Sequence, residues 1–256
     1  MRWLRRRPEP DDGMARAEAA ARRGDHAGAL ALWGPLAQTG NPRAQARVGA
    51  CFAAGLGVAR DPALAVKWLT LAAEAGDPAG CRELAHAHFR GDGVPEDPRR
   101  AAELYRRAAE AGDAEAQDML SWMLLEGEII PPDPAEALRL ARAAAAQGHA
   151  GAMSRLGMLH HNAIGVDRDP AEAARWWARA AARGDADAQA MLGAALLTGA
   201  GVPRDPVGAF TWLTRAQNGG SPLAYPFLRP AEDALTVEEA ARARRAADAP
   251  MPEPGP

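Results

Sequence analysis

The sequence predicts an all-α protein, a solenoid of stacked αα-hairpins built on a 36-residue repeat with helical caps at both ends. Three observations carry that expectation. Asp-Pro recurs at Asp61-Pro62, Asp97-Pro98, Asp133-Pro134, Asp169-Pro170 and Asp205-Pro206, each 36 residues after the last. Gly40, Gly76, Gly112, Gly148, Gly184 and Gly220 keep the same interval, as do Ala29, Ala65, Ala101, Ala137, Ala173 and Ala209. Apolar residues make up 48% of the 256, yet aromatics only 5%, which suits close-packed helices better than a β-sandwich rich in Val, Ile, Thr and Tyr. A fixed period of this length is the mark of solenoids and arrays.

Residues 1–11, "MRWLRRRPEPD", are basic and carry no periodic stripe, so they read as a disordered N-terminus. Residues 12–40 form a helix pair whose second helix alone keeps the register. Five full units follow at 41–76, 77–112, 113–148, 149–184 and 185–220. Each opens on a cap for its first helix: Asn41, Asp77, Asp113, Asp185, with His149 the weak member. That helix carries Ala44, Val48, Gly49 and Phe52 in the first unit, small residues beside a large one that let neighbours approach closely. It ends at Gly-x-Gly-Val, as at Gly55, Gly57, Val58, where glycine permits positive φ. Asp-Pro then starts the second helix, because Asp caps the orphan N–H groups and Pro at the first helical position loses nothing by lacking one. Ala65, Trp68, Leu69, Ala72 and Ala73 recur at helical spacing as a buried stripe, and Gly76 supplies the left-handed residue beyond the end. Trp68, Trp176 and Trp212 share one apolar column with Leu32, Leu104 and Leu140, and are expected in the core.

The third unit breaks the loop pattern with "EGEIIPPDP", placing Ile129 where glycine is expected; the fourth has Ala163 for the first loop glycine. Loop drift explains both more simply than an exposed partner-contact corner at Ile129 and the proline pair. After Ser221 the register fails. "LTVEEAARARRAADA" places Thr236 and Glu239 at capping-box spacing, so 221–248 reads as C-terminal capping helices, and 249–256, with four prolines, as a disordered tail.

The pattern A-x-x-x-L-G…G-x-G-V-x-x-D-x-x-x-A-x-x-W-x-x-x-A-A-x-x-G resembles the Sel-1-like repeat, an αα-hairpin family related to tetratricopeptide repeats. The resemblance spans the five full units. It implies a right-handed α-solenoid whose first helices line the concave side, and a non-catalytic scaffold or adaptor that binds a peptide or protein segment there, in bacterial signalling, envelope regulation or host interaction. Secreted cysteine-rich relatives imply an alternative, a β-lactamase-like or peptidoglycan-binding cell-wall module.

No constellation of catalytic residues stands against the scaffold expectation. The serines open "SWML", "SRLG" and "SPLA" rather than Ser-x-x-Lys, and Lys67 is the only lysine. No P-loop, dinucleotide fingerprint or G-x-S-x-G occurs, so catalytic and cofactor-binding residues are expected to be absent and the protein is not expected to be an enzyme. His86 and His88 stand two apart on a helix and diverge, whereas a metal pair wants i, i+4; His88 and His160 share a packing column with Phe52, Leu124 and Leu196. No metal site is expected. Cys51 and Cys81 are offset by about 9 Å along neighbouring helices, beyond disulfide reach, and are expected as free thiols.

A net charge of −3 gives no footprint for nucleic acid. No apolar run reaches the roughly 18 residues of a membrane helix, and no signal peptide follows Met1. The sequence therefore predicts a cytoplasmic monomer with a protein or peptide partner and no membrane insertion; a start codon assigned too late would make it periplasmic or secreted. On each first helix the face away from the core passes through the columns of residues 46, 47, 50 and 54. Down the stack this face offers Arg47; Arg82, His86 and Arg90; Met119, Trp122 and Glu126; Arg155 and Met158; and Met191. Trp and Arg dominate binding hot spots and Met suits adaptable surfaces, so these ten are the candidate partner-binding residues.

Overall fold

The computed structural model describes residues 12–251. Fourteen α-helices and one 3-10 turn occur among them, and no strand. A helix pair, α1 (Asp12–Arg22) and α2 (His26–Gln38), precedes five hairpins: α3 (Pro42–Ala54) with α4 (Pro62–Glu74), α5 (Pro78–Arg90) with α6 (Pro98–Glu110), α7 (Ala114–Glu126) with α8 (Pro134–Ala146), α9 (Ala150–Asn162) with α10 (Pro170–Ala181), and α11 (Ala186–Thr198) with α12 (Pro206–Asn218). The 3-10 turn Pro222–Ala224, α13 (Tyr225–Asp233) and α14 (Val237–Asp248) close the chain. The segments 1–11 and 252–256 lie outside the described residues.

The chain divides into two compact units, one of residues up to 120 with 128–130, the other of 121–127 with residues from 131 on. In the first, α1 packs on α2, α2 on α3, α3 on α4 and α5, and α4 and α5 each on the element that follows. In the second, α8, α9, α10, α11 and α12 pack successively, and α12 meets both α13 and α14.

Local chemistry sets each boundary. The Asp61, Asp97, Asp133, Asp169 and Asp205 carboxylates each accept a hydrogen bond from the backbone N–H three residues on, at 2.9 to 3.0 Å. Asn41, Asp77, Asp113 and Asp185 do the same for first helices, at 2.7 to 3.0 Å. His149 fills that column by accepting the Ala152 N–H on Nδ1 at a longer 3.2 Å. The second loop glycine meets a packing limit as well as a backbone one: Gly201 has φ +78°, and a Cβ there would sit 2.1 Å from the Pro170 carbonyl oxygen. Ala163 takes φ +58° without being glycine, alone in this among the described residues. Ile129 and Ile130 are half-buried rather than exposed.

In the column expected in the core Leu104 and Leu140 are buried as expected, but the tryptophans are not. Trp68, Trp176 and Trp212 are only half-buried, and the guanidiniums of Arg179 and Arg215 lie over the rings of Trp176 and Trp212 at 4.8 and 5.5 Å. The next column, Trp33, Leu69, Tyr105, Ala141, Trp177 and Leu213, is fully buried. The reason is the small column of the first helix, which faces this position: a Cβ on Gly157 would lie 2.2 Å from Trp177 Nε1, and one on Gly49 2.7 Å from Leu69 Cγ.

A further column ties each hairpin to the one before. Gln45, Gln117 and Gln189, all buried, donate their side-chain amides to the carbonyls of Ala37, Ala109 and Ala181 at 3.1 to 3.3 Å. Cys81 and Met153 alternate with them. Across the Cys81 seam the Ala73 carbonyl accepts from the Cys81 thiol at 3.8 Å and from the Arg107 guanidinium at 2.6 Å; Met153 has no donor to offer.

Candidate functional site

All ten candidate residues lie on first helices and keep solvent access. Arg47, Arg90 and Glu126 are exposed, and Arg82, His86, Met119, Trp122, Arg155, Met158 and Met191 are half-buried. Arg47, Arg82, His86, Arg90 and Met119 belong to the first unit, the other five to the second. In the second unit Trp122, Arg155, Met158 and Met191 occupy equivalent outward columns of α7, α9 and α11 beside the buried Met123, Leu156 and Leu192.

The first unit brings Arg82 and His86 into a polar cluster. Arg82 donates to Asp113 at 2.8 Å and to Glu83 at 2.7 Å, and its Nε lies 3.3 Å from Glu115 as an ion pair without hydrogen-bond geometry. Its donors are thus engaged within the molecule, linking α5 to the start of α7. His86 stands 3.8 Å from Glu83 and 3.7 Å from Glu115 and meets the Tyr105 ring edge-on at 5.5 Å between centroids. Burial pushes the Glu83 carboxyl up, but His86 and Arg82 outweigh it and hold the group at about 2; at 3.8 Å the His86 contribution is Coulombic. Burial, with the Glu115 charge, pushes the Tyr105 hydroxyl well above its ordinary value, and that hydroxyl has no hydrogen-bond partner.

His86 and Arg90 also line a hollow of about 490 Å³ bounded by α3, α4 and α5. Its walls include Ala50, Ala53 and Ala54, its floor Ala65, Val66 and Leu69. Leu56, 40% exposed, stands at the rim. Glu83, which falls in the outward column of residue 47, belongs to this surface, as does Leu56, a loop residue that the spacing of outward columns did not single out. The signal available in the sequence was the run of alanines at 50, 53 and 54.

Among the described residues no group of three or more His, Cys, Asp or Glu is placed to hold a metal ion. Both cysteines are unpaired and buried, and burial pushes each thiol up despite nearby arginines. No described helix is long and apolar enough to cross a membrane.

A protein-family model described as Sel1 repeat matches residues 42–77, 78–113, 114–149, 150–185 and 186–221. A solved Sel1 repeat protein from Oxalobacter formigenes is similar at 24% identity and a TM-score of 0.79, with 95% of this chain and 99% of that one covered. A sel1 repeat protein from Klebsiella pneumoniae is similar at 20% identity and a TM-score of 0.51, covering 79% and 99%. The immunity protein PA5088 from Pseudomonas aeruginosa is similar at 16% identity and 0.50, covering 96% and 86%. No curated protein matches the chain.

Proposed function

The chain belongs to the Sel1 repeat family, and on that premise we propose that it is a non-catalytic scaffold whose first-helix face holds a peptide or a segment of a partner protein. Sel1 repeats generally serve as protein-interaction modules. The observation that carries the reading is the recurrence of Arg, Met and Trp on that face, in columns the hairpins do not fully bury. Met119 and Trp122 head it, half-buried beside a core that already contains Leu120, Met123 and Leu124. Large side chains that the core does not require, kept part-solvated, are what a partner desolvates on docking.

The test compares Trp122→Ala with Trp177→Ala. Trp177 is buried on Gly157, and its truncation costs about 3–5 kcal/mol. Trp122→Ala is expected to weaken binding of the partner, identified by affinity capture and then purified, at least tenfold with a much smaller fall in melting temperature. A fall as large as that of Trp177→Ala, with binding intact, overturns the assignment.

A further inference from the structure

The hollow between α3 and α5 exists because one repeat is short of side-chain volume. The column of Ala53 carries Phe89, Leu125, His161 and Leu197 in the four later repeats, and that of Ala50 carries His86, Trp122, Met158 and Ala194. Only the first repeat has alanine in both, and in the column of residue 54 as well. The result is a cavity of about 490 Å³ with an apolar floor, within the size range of ligand pockets. Leu56 remains substantially exposed at its edge.

The charges around it are not balanced alike. Arg60 pairs with Asp92 at 2.5 Å and is anchored by the Ala53 carbonyl at 3.0 Å. Glu83 pairs with Arg82. Arg90, which lines the hollow and is exposed, has no ion-pair partner among the described residues. Its place in the last turn of α5 suits the helix dipole, but that partial charge leaves most of the guanidinium's charge uncompensated.

We propose that this hollow receives a large apolar side chain of a partner segment, with an acidic side chain beside it paired to Arg90. The proposal rests on the scaffold reading and deepens it: it names the anchor and the chemistry of the residue next to it. The apolar group covers Val66 and Leu56, and the carboxylate meets the one uncompensated cation of the lining.

Terminally blocked hexapeptides Gly-Ser-Phe-Asp-Ser-Gly, with Asn or Lys for Asp and Ala for Phe, test it by titration into full-length protein labelled at alanine methyls. The Phe-Asp peptide is expected to shift the Ala50, Ala53 and Ala54 methyls saturably. The Asn and Lys peptides are expected to bind at least fivefold more weakly and the Ala peptide not measurably. Ala53→Leu restores the side-chain bulk of the later repeats, so it is expected to abolish binding without lowering the melting temperature; Arg90→Gln is expected to erase the preference for Asp over Asn. Equal binding of the Asp and Lys peptides, unchanged binding by Ala53→Leu, or no saturable shift at these methyls overturns the proposal. If Ala53→Leu leaves the purified partner bound while Trp122→Ala releases it, the hollow is excluded and the scaffold reading stands; if neither variant releases it, both fall.

Discussion

Glu83 shows how a single side chain in this protein carries a pH dependence. Its carboxyl lies near 2 in the folded chain against an ordinary 4.5, so the stability it lends is complete above about pH 4.5 and is lost as pH falls toward 2. The shift bounds that contribution at roughly 3 kcal/mol. Urea unfolding at pH 5 and pH 3 is expected to show a steeper loss for the wild type than for Glu83→Gln; parallel losses would remove Glu83 as the source. The thiols make a second prediction at this scale. Cys51 and Cys81 are buried and raised by burial, and the thiolate is the reactive form. Ellman's reagent is therefore expected to titrate both only when the chain unfolds, with a rate that follows urea concentration. A fast reaction in native buffer would contradict the burial.

The helices owe their length to their ends. The second helix of each of the five hairpins starts on the same Asp-Pro cap, and departures from the pattern mark sites open to improvement. Ala163 holds φ +58°, where a Cβ costs about 1–2 kcal/mol, so Ala163→Gly is expected to stabilise by about 1 kcal/mol in chemical denaturation. His149→Asp is expected to add about 0.5–1 kcal/mol by restoring the cap of the other repeats. Gly201→Ala goes the other way. It combines positive φ with a 2.1 Å approach to the Pro170 carbonyl, and is expected to lower the melting temperature more than any other loop glycine-to-alanine change whose Cβ meets open space, such as Gly184→Ala.

At the level of the whole chain, stability depends on covering the last hairpin. A solenoid's end needs an element with a polar outer face, and α14 supplies it: Ala240 and Ala243 pack into the cluster of Phe210 and Leu213, while Arg215 donates to the Ala246 and Ala249 carbonyls at 2.7 and 2.9 Å. Removing residues 234–256 is expected to lower the melting temperature and produce self-association in light scattering; an unchanged, monodisperse product would show that α14 is dispensable. Much of this architecture was legible in the sequence, because caps and left-handed glycines act within four residues of themselves. Thr236 and Glu239 form the capping box their spacing suggested. What was not legible depends on opposing surfaces. Trp176 and Trp177 are both apolar and adjacent, and only Gly157 on another helix decides which is buried. Arg82 reads as a free surface cation until the fold brings Asp113 within 2.8 Å. The hollow is hidden in ordinary alanines, whose meaning lies in the bulk of most of their counterparts in the four later repeats.

The glutamine column has a mechanical corollary. Amides fasten the joins at Gln45, Gln117 and Gln189, and Arg107 fastens the one at Cys81, whereas the join at Met153 pairs a thioether with the longest first-helix cap, that of His149. Under thermal agitation this join should open before the one at Gln189, like cloth along a more lightly tacked hem, and backbone deuterium uptake at 150–153 should outpace that at 186–189.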